Sequence, residues 1–274
     1  MKKNLLGLGL SVLFMTFFVA CDVENISTTA DNLENSKGTL AENANAEVGV
    51  IKVFENVNNF GFNSDGLKSF ESGDPIETWD STHTVMTLDF SNTSNSSGKV
   101  IVEFSAYPVY QTGLTADVTF ENYESEGVGI NGDLKFIVVA YTESQSVMFA
   151  MEAPEYLTIT ENGASYDWLC NQTVLWETGF GTLDSADDLF IINGTSMQQI
   201  DGLTNKTTLD DINYASSCEF MLDGELELIK DYEGDNSFTI NCDFGAGPDS
   251  SIEGECDGWV LLTANGFTLR VNLE

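Results

Sequence analysis

The only histidine of the chain, His83, is the first candidate for catalysis, because a Ser–His–Asp triad needs an imidazole as its general base. Asp80, Ser81 and Thr82 precede it directly in D-S-T-H-T, but neighbours along a strand point to opposite faces of a sheet. The chain also lacks G-x-S-x-G, G-x-x-x-x-G-K-[ST] and H-E-x-x-H. These observations predict a protein with no catalytic residues.

The 44 acidic residues leave two other kinds of chemistry open. Two facing carboxylates carry out the hydrolysis of glycosidic bonds in most glycan hydrolases, but nothing in the sequence singles out one pair. Calcium is the one cofactor that the acids suggest, because loop carboxylates are its preferred ligands. The weak candidates for calcium ligands lie in L-D-S-A-D-D and D-F-G-A-G-P-D: Asp184, Asp187, Asp188, Asp243 and Asp249. Neither stretch follows D-x-[DN]-x-[DN]-G, and helix caps and Asx turns account for such residues equally well.

Four tryptophans could form a platform on which sugar rings stack, or they could belong to the core of a β-sandwich. They are Trp79, Trp168, Trp176 and Trp259. The sequence leaves both interpretations open, and the first is the basis of a glycan-binding alternative.

The net charge of −34 excludes one class of partner. Proteins that bind nucleic acid or anionic lipid through electrostatics need a positive patch, and this chain has ten basic residues against its 44 acids. We therefore expect no nucleic-acid partner.

The N-terminus has the pattern of an export signal. Lys2 and Lys3 are followed by an apolar run from Leu5 to Ala20, which is shorter than the roughly 20 residues of a membrane-spanning helix. An ordinary secretory cleavage site has small residues at −1 and −3, and Phe18 at −3 does not fit. The ending Val19-Ala20-Cys21 instead resembles the lipobox of bacterial lipoproteins. That resemblance implies a signal peptide over residues 1–20 and lipidation, with fatty acids such as palmitate, at Cys21. A membrane is then a partner through this anchor, and two or three acyl chains hold stably where one does not.

Four further cysteines, Cys170, Cys218, Cys242 and Cys256, all lie in the C-terminal part of the chain. An even number of cysteines in an exported protein indicates two disulfides, with three possible connectivities. Zinc is disfavoured, because the chain has no C-x-x-C pair.

The rest of the chain is predicted as mainly antiparallel β-structure. Residues 21–46 are polar and acidic, and this composition predicts a flexible, disordered tether. A short helix is expected from Val48 to Val57, where apolar residues recur every three positions. From Thr82 onward the apolar period changes to two, as in T-V-M-T-L-D-F and K-V-I-V-E-F, and Asn265-Gly266 is a strong hairpin signal. We predict an all-β fold of antiparallel β-sandwich units, at 47–155 with the helix and at 156–274 with the disulfides.

The segments H-T-V-M-T-L-D-F, D-V-T-F-E-N-Y and the C-terminal D-F-G…G-E-C-D-G-W-V-L-L-T-A-N-G resemble a group of uncharacterised surface lipoproteins of Gram-negative bacteria. The resemblance covers most of residues 47–274. It implies a β-rich fold, an outer-membrane location and pairing of Cys218 with Cys256, which leaves Cys170 with Cys242.

Together these patterns predict a cell-envelope lipoprotein with a structural or binding role and an unidentified protein or glycan partner. The alternatives are a glycan-binding accessory protein and an acid-pair glycan hydrolase. Whether the anchored protein faces the periplasm or the cell surface stays open.

Overall fold

The computed structural model of the protein describes residues 23–62, 74–142, 146–180, 182, 185–245 and 256–273. A long helix, α1 (Val23–Asn56), comes first and runs into a π-helical turn at Val57–Gly61. Single 3-10 turns lie at Phe90–Asn92 and Ser185–Asp187. Fifteen strands are described: β1 (Ile76–Trp79), β2 (Val85–Asp89), β3 (Ser96–Phe104), β4 (Thr115–Ser125), β5 (Val128–Asn131), β6 (Asp133–Thr142), β7 (Ser146–Glu152), β8 (Leu157–Glu161), β9 (Ala164–Thr178), β10 (Leu189–Ile200), β11 (Leu203–Ala215), β12 (Asp223–Lys230), β13 (Phe238–Phe244), β14 (Trp259–Ala264) and β15 (Phe267–Asn272).

The predicted fold class is confirmed: the chain forms a mainly antiparallel, sandwich-like sheet with one N-terminal helix. Most strands pair with their neighbours in sequence. The long strands β4 and β9 each divide between two partners, so that the β5–β8 pair and the β6–β7 pair lie end to end between them. These ladders cross residue 156, where the sequence suggested a division into two units.

Helix α1 is much longer than predicted, and the tether prediction is wrong for residues 23–46, which are helical. A buried stripe with alternating spacings of four and three runs along the helix. Its members are Thr29, Leu33, Ser36, Leu40, Asn43, Glu47, Val50, Phe54 and Val57. The N-terminal half of this stripe is half polar, so its composition is typical of a disordered segment although its period is helical.

The sheet curves around α1, because strands that are far apart in the sheet contact the same helix. The ring of Phe54 packs edge-on against Phe136 of β6, Phe149 of β7 and Phe190 of β10, with centroid separations of 5.3, 4.8 and 5.7 Å. Helix α1 also contacts β5, β14 and β15. The inner face of the sheet and the helix therefore share one core.

Tight two-residue turns connect several of the hairpins. The predicted Asn265-Gly266 turn joins β14 to β15, and both of its residues have positive φ, 48° and 79°, as a type I′ turn requires. Glu126-Gly127, Asn162-Gly163 and Asp201-Gly202 make the same turn at three other hairpins. A non-glycine residue followed by glycine is thus the recurrent hairpin signal of this chain.

The cysteine prediction is half right. Cys218 and Cys256 form a disulfide with a Cα–Cα distance of 5.6 Å, but Cys170 and Cys242 are free and buried. Cys170 lies on β9 and Cys242 on β13, and three strands separate them. Four strand spacings amount to roughly 19 Å along a flat sheet, whereas a disulfide needs a Cα–Cα distance below about 7 Å. The predicted pairing of Cys170 with Cys242 is therefore wrong.

Candidate functional site

Of the five predicted calcium ligands, Asp187, Asp188 and Asp243 lie within the described residues. Cys21, the predicted lipidation site, and Asp184 and Asp249 lie outside the described residues. Asp187 accepts a hydrogen bond from Thr182 Oγ1 at 2.8 Å, and the buried Asp188 accepts one from Trp176 Nε1 at 3.2 Å. Asp243 lies on β13, opposite Glu225 of β12. Among the residues described, no group of three or more histidine, cysteine, aspartate or glutamate side chains is arranged to hold a metal ion.

His83 belongs to a turn that Asp80 organises. The Asp80 carboxylate accepts hydrogen bonds from the Thr82 side chain and from the backbone N–H groups of Thr82, Thr84 and Val85. These bonds hold the pKa of Asp80 well below its usual range. His83 has a φ of 54° within this turn, and its ring lies 6.1 Å from that of Trp79. The acid that sequence proximity suggested as a triad partner is thus engaged in closing the β1–β2 turn.

Two of the four tryptophans are core residues, and the other two are half-buried. Trp168 and Trp176 are buried, on the inner face of β9. Trp79 packs against Phe104 with a centroid separation of 5.8 Å, and Trp259 is half-buried at the start of β14. Trp168 and Trp176 are therefore core residues and are not available for stacking on a sugar ring.

A cleft of about 560 Å³ lies where the sheet leaves one face of α1 uncovered; we call it the helix cleft. Its floor consists of Asn45, Val48, Gly49 and Lys52, whose spacing of three, four and seven residues places them on one helix face. The tight turn at Ser125–Val128 forms one wall, together with Asn95 and Glu161. Glu219 and Phe220 form a second wall. The volume is within the usual range of small-molecule sites.

The walls of the helix cleft are held by specific contacts. The Glu126 backbone N–H donates to the Asn95 carbonyl at 2.8 Å, which fixes the turn of the first wall. The Cys218–Cys256 disulfide lies directly beside the second wall, and the Phe220 N–H donates to Cys218 Sγ at 3.4 Å. Both walls are therefore preformed, as in most sites that bind small ligands.

The charged side chains of the helix cleft differ in whether they have an ion-pair or hydrogen-bond partner. Lys52 Nζ forms an ion pair with Glu126. Glu161 accepts a hydrogen bond from Asn45 Nδ2 at 2.8 Å through Oε1, while its Oε2 is buried and has no donor among the described residues. Glu219 is exposed at the rim. With one lysine and three glutamates, the lining carries a net negative charge.

A second polar feature lies inside the molecule, between α1 and the strands β9 to β11. This inner polar layer consists of buried side chains of the helix and of the three strands: Asn43, Glu47, Gln172, Ser196, Gln198, Asn205 and Thr207. Gln172 Nε2 donates to Glu47 Oε2 at 2.6 Å, and Asn43 Nδ2 donates to Ser196 Oγ at 3.3 Å. All seven side chains are at most 2% exposed, so the layer positions the helix and offers no access to a solute.

Burial dominates the electrostatics of the inner polar layer. It raises the pKa of the Glu47 carboxyl to about 7, although hydrogen bonds from Gln172 and Ser196 oppose the change. Burial and the neighbouring Glu47 also raise the pKa of the Cys170 thiol well above its usual value. Cys170 is therefore not a reactive thiolate.

The sequence did not identify the residues of the helix cleft. Lys52 lay within the predicted helix but Asn45 lay in the predicted tether, so their common face becomes evident only once the helix is continuous through both. The signal that could have found the site is Lys52 itself, a cation in the middle of a helical segment in a chain that has few basic residues.

No protein-family model, no curated protein and no solved structure matches the chain. The resemblance to surface lipoproteins therefore stays a prediction. Within the part of the chain that the structure describes, no helix combines the length and the apolar character needed to cross a bilayer.

Proposed function

We propose that this protein is a lipid-anchored lipoprotein of the bacterial cell envelope that binds a small ligand in the helix cleft and catalyses no reaction. The observation that carries the binding role is the cleft itself. It is preformed, it combines apolar with polar side chains, and its floor is a face of α1 that the sheet leaves uncovered.

The anchor part of the proposal rests on the sequence up to Cys21. Helix α1 begins at Val23, close to the proposed lipid attachment point, and its buried stripe starts at Thr29. The six helical steps from Val23 to Thr29 span about 9 Å. A lipid on Cys21 would therefore hold the folded body close to the membrane.

Mass spectrometry of the mature N-terminal peptide, combined with surface proteolysis of whole cells, tests the anchor. The proposal predicts a mature chain that begins at acylated Cys21 and sediments with membranes. A Cys21→Ala variant is the control, and it should lose both the acyl groups and the membrane association. A mature chain that begins at another residue, or that is released into the medium, would refute the anchor.

The binding role is tested by filling the cleft. Gly49 is helical, and a Cβ there would meet Val128 Cγ1 at 3.5 Å, so the Gly49→Leu side chain would occupy the floor of the cleft. Gly38→Leu is the matched control, because Gly38 is an exposed glycine of the same helix with no atom within 4 Å of its added Cβ.

The measurement is saturation-transfer NMR of the full-length protein in non-ionic detergent against a panel of neutral sugars, amines and carboxylates. A ligand that binds in the cleft should show a saturation-transfer signal with the unaltered protein and with Gly38→Leu, and no signal with Gly49→Leu. If every ligand binds the folded Gly49→Leu variant as well as it binds the unaltered chain, the cleft is not the binding site.

A further inference from the structure

We propose that the ligand of the helix cleft is a small organic cation, whose ammonium group lies between Glu161 and Glu219 and whose carbon chain packs along Val48, Val128 and Phe220. This inference deepens the proposed function and rests on its binding role.

The distribution of charge in the cleft carries the first step. Lys52 is already neutralised by its ion pair with Glu126. Glu161 and Glu219 remain, and neither has a basic partner among the side chains that line the cleft. The lining therefore offers acceptors to a cation and no unpaired cation to an anion. Phosphates and carboxylates are disfavoured, because their recognition needs a free basic group.

The second step is the buried oxygen Oε2 of Glu161. Its partner oxygen accepts from Asn45 Nδ2, but Oε2 is buried and has no donor among the described residues. Glu161 lines the cleft, so a turn of its carboxylate toward the cleft is the movement that would bring Oε2 to a ligand. A buried acceptor without a donor is costly, and more so when it is charged. A donor from the ligand would satisfy this carboxylate, and an ammonium group supplies three donors together with the complementary charge.

The third step is the apolar part of the lining. Val48 is buried in the floor, and Val128 and Phe220 are half-buried in the two walls. A methylene chain fits such a surface, whereas a fully hydrated metal cation gains nothing from it. The net charge of −34 of the whole chain also raises the local concentration of cations around the cleft.

Isothermal titration calorimetry with spermidine tests the inference. The full-length protein is titrated in non-ionic detergent at about 0.15 M salt, where diffuse electrostatic attraction is screened. Glu219→Gln removes one of the two proposed acceptors at an exposed position and should weaken binding roughly fivefold, as expected for a charge-assisted contact that is partly screened. Lys52→Gln should strengthen binding, because it removes the competing cation. Glu155→Gln is the matched control, since it removes the same charge from an exposed loop outside the cleft and should change binding less than about twofold.

Binding of spermidine in the helix cleft must be distinguished from its diffuse attraction to the acidic surface of the protein. The outer face of the sheet carries a row of directly opposed carboxylates, Asp210, Glu225 and Asp243, on β11, β12 and β13. Equal weakening by Glu219→Gln and Glu155→Gln, or weakening by Glu225→Gln alone, would place spermidine elsewhere and overturn the inference. So would the absence of any heat of binding.

These outcomes are separable from a failure of the proposed function. If spermidine does not bind while a neutral ligand binds in a way that Gly49→Leu abolishes, the ligand class is wrong and the binding site stands. If no ligand depends on Gly49, both are wrong.

Discussion

Replacing Glu47 by glutamine should make the protein more stable at neutral and alkaline pH. Glu47 is completely buried on the inward face of α1, and burial raises its pKa from 4.5 to about 7. Between these two values the unfolded chain releases the proton while the folded chain retains it. Stability contributed by this group therefore falls as pH rises from 4.5 to 7 and stays low above 7.

The magnitude follows from the difference between the two pKa values. At about 1.4 kcal/mol for each pKa unit, ionisable Glu47 costs roughly 3 kcal/mol of unfolding free energy at pH 8. At pH 5 the same relation gives a cost below about 1 kcal/mol. Glutamine is neutral at both pH values and can still accept the hydrogen bond of Gln172 through its amide oxygen. The stability gap between Glu47→Gln and the unaltered protein should therefore widen by about 2.5 kcal/mol from pH 5 to pH 8.

Urea unfolding followed by tryptophan fluorescence at pH 5 and pH 8 measures this gap. Glu34→Gln is the control, because it removes one negative charge at an exposed position of the same helix. Its effect measures how much stability the chain, with a net charge of −34, gains simply from weaker repulsion between its carboxylates. A gap for Glu47→Gln that is equal at the two pH values would refute the reasoning, because it would show that the carboxyl is not held neutral by burial in the folded state.

Two further predictions concern α1 and the cysteines. Gly38→Ala should raise the unfolding free energy by roughly 0.5–1 kcal/mol in urea titrations, because Gly38 is an exposed helical residue with free space around its added Cβ; an unchanged or lowered midpoint would contradict a continuous helix through residues 23–46. Replacing Cys218 and Cys256 together by alanine should lower the unfolding free energy by about 4 kcal/mol, from the entropy of a loop that spans 38 positions in sequence, and a loss below about 1 kcal/mol would contradict that estimate. In a thiol titration of the protein lacking Cys21, Cys170 and Cys242 should react only after denaturation, since both are buried; rapid reaction of either thiol in the native protein would contradict their burial.

Local signals in the sequence predicted the strands and turns well, because their causes are local. The alternation of apolar residues in T-V-M-T-L-D-F needs only the strand period, and the Asn265-Gly266 turn needs only residues that tolerate positive φ. The Cys218–Cys256 pair came from the family resemblance, and the structure confirms it.

The first half of α1 could not be predicted in this way, because two of its buried polar residues, Asn43 and Glu47, find their partners far away in sequence. Asn43 meets Ser196, which lies 153 positions away in sequence, and Glu47 meets Gln172 at a separation of 125. Without knowledge of these partners, Asn43 and Glu47 are residues that a buried helix should avoid. The heptad spacing of Leu33 and Leu40 was the only local sign that this segment is helical. The helix cleft was missed for the same reason, since its floor lies on the opposite face of the same helix.

The inner polar layer fixes the register of α1, and that register places the helix cleft. A purely apolar stripe would allow the helix to slide or rotate within the curved sheet at little cost, whereas a buried polar residue is satisfied only opposite its own partner. Three such contacts act together: Asn43 with Ser196, Glu47 with Gln172, and Tyr166 Oη with the Glu42 carbonyl at 2.7 Å. Rotation by one residue, about 100°, would break all three and would turn Asn45 and Lys52 away from Glu161 and Glu126. The buried Glu47 lowers stability at neutral pH, but together with its neighbours it holds the floor of the cleft against the correct walls.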